Sequence, residues 1–364
     1  MRRFQGVLLL AVVVAVVVAV GLGVAACRRA GPRQSSFQVM GTLGSVMAGA
    51  GEAARCEEYA RITLDRMREL EAILTVYNPT SELSRVNAAA GQGLMPTGRH
   101  VTMMLSMARL YGALSHGAFD VTVGPVVRAW GFSGGWKPEA VPSESVLREK
   151  LALVGYTNIL VAGGKCGLMR AGMMVDLGGI AKGYAVDVCC RELIGQGARD
   201  FVVNLGGNMR CYGRPEAGRL WHVAVRNPFD AEATLGVIEL TGGMAVATSG
   251  NYERFVEIGG KRYSHIMDPR TGWPVAGMAG VTVVAPSAVT ADALSTSLFV
   301  LGPVEGVKML TLFTNCAALF VPDKAGLEIQ MTPGMDRYFK VDPLVQASVT
   351  MAGDSGLAGR ELLK

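Results

Sequence analysis

Between residues 52 and 74 apolar side chains recur near helical spacing, at Ile62, Leu64, Met67, Leu70 and Leu74, and the run closes at Tyr77-Asn78-Pro79. The spacing predicts a long helix there and a second over 97–114. A loop followed by a third helix is predicted over 138–153. Beyond that point the pattern changes. Short β-branched runs at 159–162, 173–176, 201–204, 222–225, 244–248, 281–285 and 318–321 predict strands. Many are separated by turn signals such as Gly163-Gly164, Gly206-Gly207-Asn208 and Gly259-Gly260, which favour antiparallel neighbours over repeated βαβ units. The predicted class is α+β: a single large domain over 38–364, with a mixed, mainly antiparallel sheet and flanking helices.

The start of the chain stands apart. Arg2 and Arg3 precede an uncharged apolar run from Gly6 to Ala26, and Val24-Ala25-Ala26 stand directly before Cys27. A basic start, an apolar stretch and small residues before a cut site make a secretory signal over 1–26. The junction resembles the lipobox of bacterial lipoproteins, which implies lipidation of Cys27. The apolar run is 21 residues long, enough to span a bilayer uncleaved, since about 20 are needed. Arg28 and Arg29 would then lie outside, against the positive-inside tendency. Residues 27–37, with Arg, Ser, Gly and Pro, read as a tether between lipid and domain. The expected location is outside the cytoplasm, held by lipid to a bacterial membrane and facing the periplasm.

Composition narrows the classes. With 50% hydrophobic and 18% charged residues in 364, the chain has enough apolar surface to offset ordering entropy, which excludes a disordered or collagen-like protein. Arg2 and Arg3 account for two of the five net positive charges, and the remainder does not suggest a nucleic-acid partner. The cysteines beyond Cys27 are Cys56, Cys166, Cys189, Cys190, Cys211 and Cys316; none forms a C-x-x-C pair, so zinc and thioredoxin-type readings fail and disulfides stay open. Residues 21–26 fit a dinucleotide-binding G-x-G-x-x-A pattern, but no strand-helix unit follows, and the match is chance.

Three stretches offer chemistry. In the segment from Val175 to Asp187 an apolar strand runs through Asp176 into Gly178-Gly179 and then a helix carrying Lys182. Free amides at that helix start, with the lysine, suit an anion such as phosphate; the plainer reading is a packed strand-turn-helix junction. In the segment from Thr290 to Gly302, Asp292 and Thr296 share one helical azimuth while Leu294, Leu298 and Leu301 cluster on the other. A carboxylate with neutral oxygens is the donor set of a hard cation such as Mg²⁺. The alternative makes Thr290 the helix cap and Asp292 a first-turn acid favoured by the dipole. Third, His265 stands beside the turn Asp268-Pro269-Arg270-Thr271-Gly272, in a chain with four histidines; a lone histidine is more often structural.

With Gly117 to Pro125 and Val76 to Asn87, these segments form an ordered pattern that resembles the ApbE family, the FAD:protein FMN transferases. The resemblance runs from Val39-Met40-Gly41-Thr42 through Tyr77, Ala118-Phe119-Asp120, Asp176 to Gly183, Asn204-Leu205-Gly206-Gly207 and His265 to Pro269, ending at Asp292 to Thr296. It implies a Mg²⁺-dependent enzyme that moves the FMN half of FAD onto a Thr or Ser hydroxyl of a partner flavoprotein, making a phosphoester and releasing AMP. It also implies that Gly179, Asp292 and Thr296 hold Mg²⁺ and that Met40, Tyr77, Ala118, Phe119, Asp120, Asp176, Lys182 and Ile266 line the FAD site. His265 would orient or deprotonate the acceptor hydroxyl. Lys182 and the metal would neutralise phosphate charge.

The implied partner is an acceptor subunit of a membrane or exported redox complex bearing an Asp-Gly-x-Ser/Thr-Gly-Ala-Thr-like sequence. This chain has no such sequence; residues 268–272 are a partial echo, so it reads as the enzyme and not its substrate. Two positions depart from the family pattern: Gly179 stands where many members have Ala, and Asn251 where Asp is frequent. The alternatives are an FAD pyrophosphatase using water in place of the hydroxyl, and an FAD-binding lipoprotein without chemistry.

Overall fold

The computed structural model describes residues 31–133 and 139–353. The signal, Cys27 and Pro138 lie outside the described residues. The chain opens with the hairpin β1 (Arg33–Val39) and β2 (Thr42–Ala48), then helices α1 (Cys56–Leu74) and α2 (Glu82–Ala88), strand β3 (Met95–Pro96) and helix α3 (Arg99–Leu114). Helices α4 (Gly124–Ala129) and α5 (Glu144–Leu151) precede strands β4 (Ile159–Ala162) and β5 (Lys165–Leu168), followed by helix α6 (Ala181–Gly195). Two hairpins come next, β6 (Phe201–Leu205) with β7 (Asn208–Tyr212) and β8 (Trp221–Asn227) with β9 (Asp230–Leu240). The last part carries β10 (Ala245–Gly250), β11 (Phe255–Ile258), β12 (Lys261–Ser264), β13 (Met278–Ala285), α7 (Ala288–Leu310), β14 (Ala317–Pro322), β15 (Glu328–Met331), β16 (Phe339–Val341) and β17 (Ser348–Met351).

A nine-stranded sheet in the order β1-β2-β6-β7-β10-β13-β14-β15-β17 organises the molecule. Its neighbours are antiparallel except β15 with β17, so the sheet is mixed and mainly antiparallel, as the turn signals predicted. Side chains alternate between two cores. Val203, Ala247, Val281, Val283 and Phe320 join one face to helices α1, α3, α6 and α7. Val202, Val246, Val284, Leu319 and Val321 pack on the opposite face against the small sheet β16-β9-β8, through Trp221, Ile238 and Phe339. Every residue of β13 is buried, which explains why that strand shows no alternation of apolar and polar residues; its one polar side chain, Thr282, lies 2.9 Å from the Thr248 hydroxyl.

Three readings need correction. The tether cannot extend to residue 37, because β1 begins at Arg33 and pairs with β2 along its length, Arg33 opposite Ala48 and Val39 opposite Thr42. Residues 173–176 are not a strand; Met174 makes an isolated parallel bridge to Val123, and Val175 is held by the Asn87 side chain at both its N–H (2.8 Å) and its carbonyl (3.0 Å). The cap of α7 is Ser287, whose Oγ accepts from the Thr290 N–H, and the helix has no acid in its first turn. Helix α7 is long and apolar enough to cross a membrane by length and composition, but it is interrupted at Gly302 (φ 72°) before Pro303 and packs between the sheet and α6. The described cysteines are unpaired, and all but Cys316 are buried.

Candidate active site

The site is built where tight turns leave one end of the large sheet. Between β1 and β2 the turn consists of Met40 (φ 52°) and Gly41 (φ 68°), the pair of left-handed residues that a two-residue hairpin loop demands. A methionine there is strained, a cost that side chains at functional sites often carry. The neighbouring turn, Gly206-Gly207, rests against it: the Gly206 N–H donates to the Leu43 carbonyl at 2.9 Å, and a Cβ on Gly206 would lie 2.8 Å from Thr42 Oγ1. Asn204 Oδ1 accepts from the Gly207 N–H and closes the turn.

Helices α6 and α7 cross beside this end. Their approach is set by Gly183, where a Cβ would sit 2.2 Å from the Ala288 carbonyl oxygen; instead the Gly183 N–H donates to Asp292 Oδ2 at 2.8 Å. Asp292 is 3% exposed. Its other oxygen faces Lys182 Nζ at 3.7 Å, and Lys182 also donates to the Gly178 carbonyl at 2.9 Å. Burial pushes the Asp292 carboxyl above its ordinary value, although the Lys182 charge and the Gly183 N–H oppose that rise. The protein alone therefore undercompensates this charge, and a cation at Oδ1 would restore the balance.

Thr296 lies one turn beyond Asp292. The Cβ position of Gly179 is 3.2 Å from Thr296 Oγ1 and 3.2 Å from the Phe119 ring, so the loop of Gly179, the hydroxyl and the aromatic ring meet. Ser249, at the end of β10, was not singled out by the sequence. Its Oγ lies 2.9 Å from Ser295 Oγ and 3.4 Å from Thr296 Oγ1, which fixes the hydroxyl face of α7. Asp187 was equally unassigned: it takes Arg210 at 2.7 Å and the Ala288 and Val289 N–H groups at 2.9 Å each, anchoring the start of α7. A carboxylate spaced one helical turn from the Lys182-Gly183 pair was the available signal for it.

His265 follows β12 directly. Its Nδ1 lies 3.0 Å from the Arg254 carbonyl, which can only accept, so Nδ1 carries the proton and Nε2 keeps its lone pair. Burial lowers its pKa to about 4, and the Arg254 and Lys182 charges add to that effect against the backbone hydrogen bond. At neutral pH the ring is a free base near a lysine. Ile266 beside it is buried.

The remaining predicted residues fall into two groups. Tyr77 is 65% exposed, suited to cover a flat ring, and Ala118 and Phe119 are buried in the loop after α3. The acids are committed to backbone. Asp120 accepts from the Thr122 N–H and hydroxyl and from the Tyr156 N–H, and burial raises its pKa. Asp176 accepts from the Gly178 N–H at 2.8 Å while its own N–H donates to the Val121 carbonyl. In the protein alone both shape the loops around Phe119 and Gly179. Asn251 donates to Asp323 at 3.0 Å, so the position where an acid is frequent here ties β10 to the loop after β14.

Among the described residues no group of three or more His, Cys, Asp or Glu side chains converges as a metal site. The Asp292 carboxylate and the Thr296 hydroxyl, one helical turn apart and with Gly179 against Thr296, remain as hard oxygen donors. With this arrangement in view the chain matches the ApbE family over residues 40–320. The chain belongs to the ApbE family. It is 36% identical over 247 residues to the FAD:protein FMN transferase of Vibrio cholerae serotype O1, covering 67% of this chain and 74% of that protein. To the FAD:protein FMN transferase of Haemophilus influenzae it is 35% identical over 304 residues, 79% of this chain and 86% of the relative. The flavin transferase ApbE structure from Vibrio cholerae superposes with a TM-score of 0.76 at 29% identity, over 85% of this chain and 99% of the other. The apo Pseudomonas stutzeri flavinyl transferase ApbE superposes at 0.75 with 31% identity, over 85% and 98%. An ApbE-type domain thus accounts for the α+β fold and for the order of the site segments.

Proposed function

We infer that this chain is a flavinyltransferase that moves the FMN part of FAD onto a Thr or Ser hydroxyl of an acceptor flavoprotein and releases AMP. The observation that carries the reading is the convergence of Lys182, Asp292, Thr296 and Gly179 beside Phe119, in a protein whose relatives are FAD:protein FMN transferases. Gly179, Asp292 and Thr296 fit Mg²⁺, because their donors are hard oxygens and Asp292 is buried without full compensation. Bound there, Mg²⁺ would neutralise pyrophosphate charge.

The chain's own groups supply the rest. Lys182 Nζ offers a second positive charge to the phosphate oxygens. His265 Nε2 accepts the proton of the acceptor hydroxyl as its oxygen bonds to the FMN-side phosphorus; the bond to the AMP oxygen breaks, and AMP leaves with that electron pair. Holding the hydroxyl and the phosphorus in line supplies alignment that solution chemistry lacks. Met40, Tyr77, Phe119 and Ile266 supply apolar and aromatic walls for the flavin. Asp120 and Asp176 hold those walls in place from beneath.

The same reading includes export. The signal over 1–26 and lipidation at Cys27 would tether the enzyme at a membrane, facing acceptor subunits of membrane or exported redox complexes. To test the activity, the chain from Gly31 onward is incubated with FAD, Mg²⁺ and an acceptor domain, and the products are weighed by mass spectrometry. An FMN adduct on the acceptor hydroxyl that disappears with EDTA and in His265→Ala supports transfer. FMN and AMP without an adduct would establish a pyrophosphatase, and FAD bound unchanged would remove the catalytic roles of Asp292 and His265.

A further inference from the structure

On the face of α6 turned away from Lys182 lies a cavity of about 450 Å³, shared by α1, α3 and α6. At 100° per residue Lys182 and Tyr184 stand about 160° apart around α6, which separates this cavity from the Asp292 side. Arg66, Arg99, His100, Tyr184, Arg191 and Glu192 line it. Its one acid, Glu192, is taken by Arg66 at 2.6 Å. Among the described residues neither Arg99 nor Arg191 has a carboxylate within ion-pair distance. Two exposed guanidiniums without a carboxylate partner therefore border the cavity together with a third that is already paired.

The hydrogen bonds between them leave another donor. Arg99 Nε donates to His100 Nε2 at 3.3 Å, so that nitrogen is the acceptor and Nδ1 bears the ring proton. Nδ1 then donates to the Tyr184 hydroxyl at 2.8 Å. The Tyr184 oxygen is filled as an acceptor and its own proton is free to be donated. Tyr184 is buried, with its ring edge-on to His100 at 5.9 Å.

We propose that this cavity is a binding site for a phosphate-bearing anion, held by Arg99, Arg191 and the Tyr184 hydroxyl. Two unpaired guanidiniums match the two charges of a phosphomonoester, and donors arriving from two helices suit its several oxygens better than the two of a carboxylate. Burial, followed by the charges of Arg99 and Arg66, lowers the His100 pKa; Glu82 on α2 opposes them, and Arg191 adds the smallest lowering effect. Tyr184 is the remaining titratable group against the ring. An anion in the cavity would offset those guanidinium charges, and the pKa of His100 would move up.

The test uses the full chain in nonionic detergent, with ¹³C-labelled histidine followed by NMR through a pH titration. The probes are inorganic phosphate, AMP, and glycerophosphoglycerol as a lipid-headgroup diester, each against chloride at equal ionic strength. A phosphate-specific rise in the His100 pKa is expected, from neutralising adjacent charges, together with at least a 10-fold weaker phosphate affinity in Arg99→Gln/Arg191→Gln by calorimetry. A response to phosphate or AMP alone assigns a free phosphomonoester, and a stronger response to the diester assigns a lipid headgroup. No phosphate-specific change at His100 in the unmodified chain overturns the site, as does an unchanged affinity in the double variant. An unaltered His265 titration in that variant shows that the fold is intact. The conservative Arg99→Lys/Arg191→Lys pair should recover part of the binding.

Discussion

The N–H of Gly183 and the carboxylate of Asp292 join helices α6 and α7 at 2.8 Å, at a position where a Cβ on α6 would strike the Ala288 carbonyl. The contact fixes both the spacing of the helices and the orientation of the acid. Asp292 thus presents Oδ1 toward Lys182 while Oδ2 is occupied. The glycine is required by close approach, since it has no positive φ of its own to explain it.

Asp292→Asn keeps an acceptor for Gly183 but removes a buried charge. Without divalent cation its stability should hold or rise by about 1 kcal/mol, because an undercompensated carboxylate no longer has to be desolvated. Transfer should fall at least about 100-fold with the loss of charge at the pyrophosphate. Thermal melts with and without Mg²⁺ separate the two effects: the parent gains stability from the ion and the variant does not. An equal Mg²⁺ shift in both would remove Asp292 from the metal set.

Much of this site could be read before the fold was known, for local reasons. Gly178-Gly179 form the turn that leads into the helix carrying Lys182, and Asp292 and Thr296 are one helical turn apart, so spacing alone brought each set together. The glycine pairs at 163–164, 206–207 and 259–260 close antiparallel hairpins as their chemistry dictates. What escaped depends on distant partners. Ser249 gains meaning only because β10 lies beneath Ser295 and Thr296, and Asp187 only because Arg210 and the α7 amides converge on it. The resemblance implied that Asp120 lines the FAD site, but spacing could not show that Thr122 and Tyr156 take its carboxylate in the protein alone. Residues 173–176 have strand-like side chains, but the Asn87 side chain takes both backbone groups of Val175.

Asp187 should be among the costliest single changes outside the chemistry. Asp187→Ala leaves Arg210 without its carboxylate and strips two amides at the start of α7 of their acceptor. A loss of about 3–5 kcal/mol is expected for breaking a buried pair of this kind. Denaturant unfolding measures it, and a loss below about 1 kcal/mol would show that Ser287 alone sustains the helix start.

Gly179 discriminates between a carbonyl role and a steric one. A Cβ there would stand 3.2 Å from both the Phe119 ring and Thr296 Oγ1, a few tenths of an ångström too close. Gly179→Ala should cost at most about 1 kcal/mol and leave transfer within a few-fold, because the ring can shift slightly. Gly179→Val should drive Phe119 and Thr296 apart and reduce transfer at least about 100-fold, as misplacement near reacting groups does. Equal activity of the two variants would mean that Gly179 and Thr296 do not share one metal.

The pH dependence follows from His265. Its pKa is lowered from 6.5 to about 4, so the folded protein holds the neutral ring while the unfolded chain takes up a proton below 6.5. Stability from this group is complete above pH 6.5 and is lost as the pH falls toward 4, by no more than about 3 kcal/mol. The same shift sets catalysis. Because kcat/KM reports groups of the free enzyme, its acid limb should lie near pH 4 and not at 6.5, and transfer should stay at its plateau through pH 6. His265→Ala should lower the plateau by about 100-fold or more, within the 10²–10⁴ range of general-base catalysis, and abolish that limb. A limb at or above pH 6.5 in the parent would mean that the ring accepts its proton as an ordinary exposed histidine and that its burial beside Lys182 does not govern the reaction.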